Sequence, residues 1–232
     1  MAKLFDKNMF IMMISIMIGV VIITFFIADI NARTQEEEKY QTQIENIEKQ
    51  NVNFTTRLLS SLGYLEKARD SRATGEYHFD LSYLWYTTAL VETDNNTFHK
   101  YKNSSLDNCT YSIYYYDISY DNFGVAQKMF LNTLNYTYGF KDLVNLYVNL
   151  TRSGENLCKL RINTTIYIQS IVENMTFKDG GVNFSTNISN LTALLNESLS
   201  AFNNELEIYQ GIESDIEKEY NIVGFSEIRE QM

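Results

Sequence analysis

The chain has 232 residues and a formal net charge of −10, from 19 Lys and Arg against 29 Asp and Glu. An acidic balance argues against a nucleic-acid-binding protein, which needs a basic surface to meet phosphates. The chain contains no proline, although average usage would give about a dozen. Because proline is excluded most strongly from helix interiors, its absence favours a chain built mainly of long helices.

The first feature in chain order is an uncharged apolar stretch at residues 9–28, MFIMMISIMIGVVIITFFIA. A helix rising about 1.5 Å per residue needs about twenty residues to span the roughly 30 Å hydrocarbon core of a bilayer. The stretch is longer than the apolar part of a secretory leader, typically about 7–15 residues. We therefore predict a transmembrane signal-anchor helix at 9–28, with cleavage near Ala28 or Ala32 as the alternative.

Charges on either side of this segment predict its orientation in a lipid bilayer. Two lysines lie within residues 1–8, and the acidic run 36–38 lies on the other side. Positively charged flanks stay in the cytoplasm. We therefore predict a short cytoplasmic N-terminus at 1–8 and a single extracytoplasmic domain at 29–232.

Asn-X-Ser/Thr triplets occur only after the apolar segment. With 24 Asn and 36 Ser or Thr in the chain, chance placement would give about four such acceptors of N-linked glycans. The chain has twelve, so we predict an N-glycosylated domain; an Asn- and Thr-rich composition that makes triplets without function is the alternative. The predicted acceptors are Asn53, Asn95, Asn103, Asn108, Asn135, Asn149, Asn163, Asn174, Asn183, Asn187, Asn190 and Asn196.

The chain has two cysteines, Cys109 and Cys158, both in the predicted outside domain. An even count in an oxidising compartment suggests one disulfide, which we predict between them. Two free buried thiols are the alternative. No Cys/His spacing indicates a metal site.

The two histidines do not indicate catalysis. His78 lies near Glu76 and Asp80, and the three could be imagined as a metal or acid–base set. On a helix, however, residues two apart point to different sides. We expect a surface histidine, and we expect neither a metal nor a cofactor nor enzymatic activity.

Heptad patterns mark the first and last helices. In residues 34–72, apolar positions alternate by three and four, which is typical of a helix with a coiled-coil seam. One row is Ile44, Asn51, Leu58 and Leu65, and the other is Tyr40, Ile47, Phe54, Ser61 and Ala68. Asn51 could select the register or the number of partners, or it could be tolerated in a loosely packed end.

The last helix is predicted at about 186–221. Its apolar row repeats every seven residues: Ile188, Leu195, Phe202, Tyr209, Ile216 and Val223. At about 100° per residue, the four acceptor asparagines between 183 and 196 all miss this row. Glycans would therefore coat the outer side of the helix.

Shorter elements are expected between these two helices. Thr74-Gly75 should break the first helix, a second helix should follow at 76–92, and 93–110 should be a polar loop. Further helices are predicted at 122–152, with a possible break at Gly139, and at 156–177, followed by a turn at 179–181. Residues 111–120 and 160–168 also fit strands, and helix is favoured for the second. The expected fold is mainly α: an antiparallel helical bundle with long first and last helices.

The chain has 17 tyrosines, and clusters such as those at 83–86 and 114–116 exceed what one helix face can bury. Tyrosine and tryptophan are favoured at interfaces, because a large apolar ring carries a hydrogen-bonding tip. A tyrosine-rich core is the alternative. The interface candidates are Tyr83, Trp85, Tyr86, Tyr114, Tyr115 and Tyr116.

These observations predict a single-pass, membrane-anchored surface glycoprotein. We expect it to act as a structural or accessory interaction subunit of a cell-envelope, filament or membrane complex, bound to a protein partner or to itself. A ligand-binding or sensory ectodomain that signals through a partner is the alternative. Dense acceptor triplets with abundant Asn, Ile, Lys and Tyr favour an archaeal-like surface, or that of a protist or virus.

Overall fold

The computed structural model describes the backbone of residues 2–137 and 139–220, and the side chains of 17, 19–137 and 139–220. Within this part the chain forms four α-helices and one β-hairpin. The helices are α1 (Ala2–Leu90), α2 (Asn95–Thr133), α3 (Lys141–Glu173) and α4 (Ser189–Tyr220). A 3-10 turn at Leu134–Tyr136 follows α2, and strands β1 (Met175–Lys178) and β2 (Gly181–Phe184) connect α3 to α4.

The chain divides into two compact units, residues 1–52 and residues 53–232. This division lies inside the predicted domain 29–232. The first unit consists of the N-terminal part of α1. Among the described residues, none of the helices has a stretch that is both long and apolar enough to cross a membrane. The side chains of residues 9–16 and 18 lie outside the described ones, so the membrane-spanning helix at 9–28 stays a prediction.

In the second unit, α1 and α2 pack closely along a seam of small residues. Three serines of α2, seven residues apart, donate hydroxyl hydrogens to backbone carbonyls of α1 that are also seven apart. The bonds run from Ser105 to Ser82 (2.8 Å), from Ser112 to Gly75 (3.0 Å) and from Ser119 to Ala68 (2.7 Å). The partner numbers fall as the serine numbers rise, so the two helices are antiparallel. A serine reaches the other backbone only where neither helix carries a large side chain.

The predicted break at Thr74-Gly75 is wrong, because Gly75 belongs to this seam. A Cβ at position 75 would lie only 2.7 Å from the buried ring of Tyr116. Glycine therefore admits a ring from α2 instead of ending α1. Of the predicted row through Ser61 and Ala68, these two residues are fully buried, whereas Tyr40 and Ile47 expose 65% and 57% of their surface.

The next two pairs of consecutive helices are also antiparallel. Between α2 and α3, the Cys158 thiol meets the Ser119 hydroxyl at 3.3 Å, and Phe130 stacks on Tyr147 with ring centroids 5.0 Å apart. Between α3 and α4, Thr164 bonds to Ser198 at 2.7 Å, and Ser153 donates to the Glu205 carboxylate at 2.6 Å. These contacts confirm the predicted mainly α antiparallel bundle, with a core of apolar residues interspersed with buried Ser and Thr.

The predicted loop at 93–110 is wrong for most of its length. Asp94 caps α2 by accepting the backbone N–H of Thr97 at 2.8 Å, and the helix begins at Asn95. Residues 111–120 continue this helix, and 160–168 lie in α3, as favoured. The chain leaves helical structure near Gly139, where a break was thought possible.

The hairpin was not predicted, although its turn was. Helix α3 ends at Glu173, before the end at 177 that the sequence suggested. Asp179 and Gly180 have φ of 58° and 77°, and Lys178 pairs with Gly181. Two positive-φ residues between paired strands make the two-residue turn that matches strand twist.

In α4 the buried row includes Leu195, whereas position 223 lies outside the described residues.

The predicted disulfide is wrong, because both cysteines are free and buried. Cys158 faces Ser119, which is ten residues from Cys109 on α2. Ten residues of helix rise about 15 Å, whereas disulfide-bonded Cα atoms lie about 4.4–6.8 Å apart. Burial raises the pKa of Cys109 to about 11 and that of Cys158 to about 12.

Candidate interaction surface

Five aromatic rings from α1 and α2 form one connected cluster, which we call the aromatic strip: Tyr77, His78, Tyr111, Tyr114 and Tyr115. His78 is its centre, with ring centroids 5.3 Å from Tyr77, 5.2 Å from Tyr111 and 5.7 Å from Tyr115. Tyr114 extends it, 5.3 Å from Tyr115. Tyr77, Tyr111 and Tyr114 expose 61%, 55% and 58% of their surface. Three large rings of one cluster therefore face solvent, joined through His78 and Tyr115.

The small-residue seam sets the position of the strip. Tyr116 is fully buried with its ring against Gly75, and Ser112 holds the Gly75 carbonyl. These contacts fix the rotation of α2 relative to α1. Tyr111 directly precedes Ser112 and Tyr115 directly precedes Tyr116. With the rotation of α2 fixed, both rings therefore contact His78 of α1.

An ionic network beneath the strip ties three helices together. The Glu76 carboxylate accepts the Tyr116 hydroxyl and two N–H groups of Arg161, one of them at 2.9 Å. The Arg161 guanidinium lies between the rings of Phe79 and Phe202, 3.9 Å and 3.6 Å from their centroids. Burial and the neighbouring Glu76 charge raise the pKa of Tyr116 well above its ordinary value. The phenol therefore stays protonated and donates.

His78 is held by an amide rather than by a carboxylate. Its Nδ1 lies 2.9 Å from Asn108 Oδ1, so Nδ1 donates and carries the proton in this arrangement. Asn108 Nδ2 donates in turn to the Ser104 carbonyl at 2.8 Å. Glu76 faces Arg161 instead of His78, as expected for residues two apart on a helix.

No metal-binding group assembles around His78. Within the part of the chain that the structure describes, no three His, Cys, Asp or Glu side chains are close enough together to hold a metal ion. Asp80 has its pKa raised by burial and by the charge of Glu76. The second histidine, His99, is exposed and touches Phe98 edge-on at 5.2 Å.

The predicted interface residues separate into three environments. Tyr114 and Tyr115 belong to the strip, whereas Tyr116 is in the core, so its assignment to an interface was wrong. Sequence reasoning missed Tyr77 and Tyr111 and set His78 aside. The missing information was the register of α1 on α2, which brings these residues together.

The other three candidates lie on α1 nearer its end. Trp85 is half-buried and stacks on Tyr101 at 5.3 Å. Tyr83 is 41% exposed and meets the half-buried Tyr86 edge-on at 5.9 Å. Tyr86 also packs on the core around Phe79. Trp85 and Tyr86 therefore have less exposed surface to offer a partner than the rings of Tyr77, Tyr111 and Tyr114.

The acceptor asparagines are mostly on the surface. Nine of the twelve are exposed, and the three half-buried ones are Asn53, Asn108 and Asn174. The Asn174 carboxamide is engaged at both ends: it accepts from the hydroxyls of Ser185 (2.9 Å) and Thr186 (2.8 Å) and donates to a helix carbonyl. Asn108 is the acceptor that lies against the aromatic strip.

Comparisons of the chain with protein-family models, with curated proteins and with solved structures found no match to any of them. A function must therefore be inferred from the site itself, here the aromatic strip, together with the acceptor asparagines and the N-terminal apolar segment.

Proposed function

We propose that the chain is a single-pass, membrane-anchored surface glycoprotein that acts as an interaction subunit of a cell-envelope, filament or membrane complex. The aromatic strip is the surface that binds its protein partner. The N-terminus lies in the cytoplasm and the helical bundle lies outside. The single observation that carries the proposal is the exposure of Tyr77, Tyr111 and Tyr114, which His78 and Tyr115 join into one cluster.

The chemistry of the strip supports a protein partner. Tyrosine is enriched at interfaces because its ring supplies apolar contact area and its hydroxyl supplies a hydrogen bond. Binding energy in interfaces is concentrated in a few such anchors. His78 already orders the rings of Tyr111 and Tyr115, so little side-chain entropy is lost on binding.

The apolar N-terminal segment supports the anchor. From 20 to 27, large apolar side chains are more than half exposed on all sides of the helix: Val20, Val21, Ile22, Ile23, Phe25, Phe26 and Ile27. In water this exposure would cost about 25 cal/mol for each Å² of apolar surface. A bilayer would cover such a helix on all sides.

The exposed acceptor asparagines support glycosylation. Residues two apart in sequence differ by about 200° around the helix axis, so they lie on nearly opposite faces of the helix. A triplet can therefore place its asparagine on the solvent-facing side and its Ser or Thr in the core. Asn103 and Asn163 are exposed while Ser105 and Thr165 are buried. A glycan on such an asparagine does not disturb the core.

A photo-crosslinking residue placed at position 111 or 114 tests the interface in the cells that make the protein. After irradiation, we expect the chain to be joined to one protein that also co-purifies with it at a fixed ratio after gentle detergent extraction. The matched control carries the same residue at Ile208 of α4, which is 54% exposed and lies outside the strip.

The double variant Tyr111→Ala, Tyr114→Ala measures the energetic role of the strip. We expect at least about a tenfold loss of the co-purifying partner, because each anchor contributes more than about 1 kcal/mol. Ile208→Ala should leave the complex intact. Crosslinks that are as frequent from position 208, or a complex that survives the double variant, would refute the assignment of the partner to the strip.

A further inference from the structure

A second exposed apolar row lies on α1 within residues 37–51. Tyr40, Ile44 and Ile47 expose 65%, 50% and 57% of their surface, and Asn51 in the same row is exposed too. The spacings of four, three and four residues place all of them along one side of the helix. We call these four residues the stalk seam.

We propose that two copies of the chain associate in parallel through the stalk seam. This inference rests on the proposed membrane anchor, which would make the stalks of all copies point the same way. The 3–4 spacing is the pattern by which one helix packs on another helix of the same pitch. A second copy supplies that helix with the same pattern in the same register.

Asn51 selects the parallel arrangement. In heptad terms Ile44 and Asn51 are at a positions, and Tyr40 and Ile47 are at d positions. In a parallel pair a faces a, so each Asn51 amide meets the Asn51 amide of the other copy and both are hydrogen-bonded. In an antiparallel pair an a residue faces a d residue, so Asn51 would face Tyr40. The Asn51 amide would then be removed from water without forming all of its hydrogen bonds, which costs free energy.

The flanks of the seam accept a second copy. In a parallel pair a g residue lies beside the e residue of the next heptad on the other chain. Here Gln43 would lie beside Glu48, which puts no like charges together. No acceptor triplet occurs in residues 31–52, so no glycan of this segment would stand between the helices.

The stalk seam is only about two heptads long. An association through so short a helical segment is only marginally stable in dilute solution. Anchoring both copies in one membrane raises their effective concentration without any added contact. We therefore expect association in membranes rather than in dilute detergent.

Disulfide crosslinking of the full chain in membrane vesicles tests the proposal. Ile44→Cys places a thiol in the seam, and Glu45→Cys places one on the next residue, outside the seam. The native thiols are buried, with pKa values of about 11 and 12, so they stay silent under mild oxidation. We expect Ile44→Cys to form a covalent dimer at least tenfold faster than Glu45→Cys.

Two further measurements separate the possible failures. Equal crosslinking by Ile44→Cys and Glu45→Cys, or faster joining of Tyr40→Cys chains to Asn51→Cys chains, would overturn the parallel seam. Alkaline carbonate extraction of the same vesicles reports the anchor alone. Extraction of the chain from the vesicles would refute the proposed function, while retention without crosslinking at position 44 would refute only the seam. Asn51→Leu should keep the association but yield species larger than dimers.

Discussion

Replacing Gly75 by alanine should destabilise the chain even though alanine is the better helix former. A Cβ at position 75 would lie 2.7, 2.9 and 3.2 Å from three carbons of the Tyr116 ring, whereas ordinary contacts begin at 3.4 Å. The ring cannot simply swing away, because it is fully buried and its hydroxyl is bonded to Glu76. Glu76 is held in turn by Arg161.

The size of the effect follows from two opposing contributions. Removing a glycine from a helix interior stabilises by up to about 1 kcal/mol. Overpacking a closely packed core costs about 1–3 kcal/mol. With the full gain, the two contributions predict that Gly75→Ala lowers the free energy of unfolding by up to about 2 kcal/mol.

Gly63 on the same helix is the matched control. A Cβ there would have no atom within 4 Å, so Gly63→Ala should raise the free energy of unfolding by about 0.5–1 kcal/mol. Urea unfolding of the full chain in one detergent, followed by far-UV circular dichroism, compares both variants with the wild type. If Gly75→Ala proved as stable as Gly63→Ala, the close seam between α1 and α2 would not exist as described.

Two predictions concern groups whose chemistry is easily measured. Thiol titration in denaturant without reductant should find two reactive thiols per chain, Cys109 and Cys158, where a disulfide would give none; both should be silent in the folded chain. Because the folded chain raises the pKa of both thiols from 9.0, protonation of the thiols stabilises the folded state. This contribution to the free energy of unfolding is complete below pH 9.0 and is lost as the pH rises through about 11 and 12. Unfolding measured as a function of pH would show the loss. In the complex isolated with its partner, glycopeptide mass spectrometry should find Asn108 unmodified and the exposed Asn103 modified, because a glycan on Asn108 would stand in the aromatic strip. A complex with a fully modified Asn108 would contradict the proposed interface.

Local periodicity was enough to predict the mainly α class, the last helix and much of the core. Leu65 and Ala68 of the first heptad rows and Phe202 and Tyr209 of the last are buried, because a helix that packs on its neighbours repeats its inner face every seven residues. The hairpin was missed although Asp179-Gly180 is a strong turn signal, since its strands are only four residues long.

Three of the errors share one cause, which is the register between helices. Gly75 was taken as a break because glycine is a poor helix former, but its partner Tyr116 is 41 positions away in the sequence. The disulfide and the aromatic strip depend on the same information. Sequence patterns give the inner face of each helix, whereas the position of one helix along another is decided by packing.

Packing explains the Ser or Thr of many acceptor triplets but not the asparagine. The structure describes twelve buried Ser or Thr residues, and five of them, Ser105, Thr137, Thr151, Thr165 and Ser198, end a triplet. The core needs small hydroxyl residues at such seams, as the bond from Ser105 to the Ser82 carbonyl illustrates. It does not need asparagine two positions earlier, where any polar residue would face water equally well. With 24 Asn in 232 residues, about one of these twelve positions would be Asn by chance. All five asparagines are exposed, so the fold accounts for the hydroxyl residue of each triplet but not for the excess of asparagine, which the proposed glycosylation would account for.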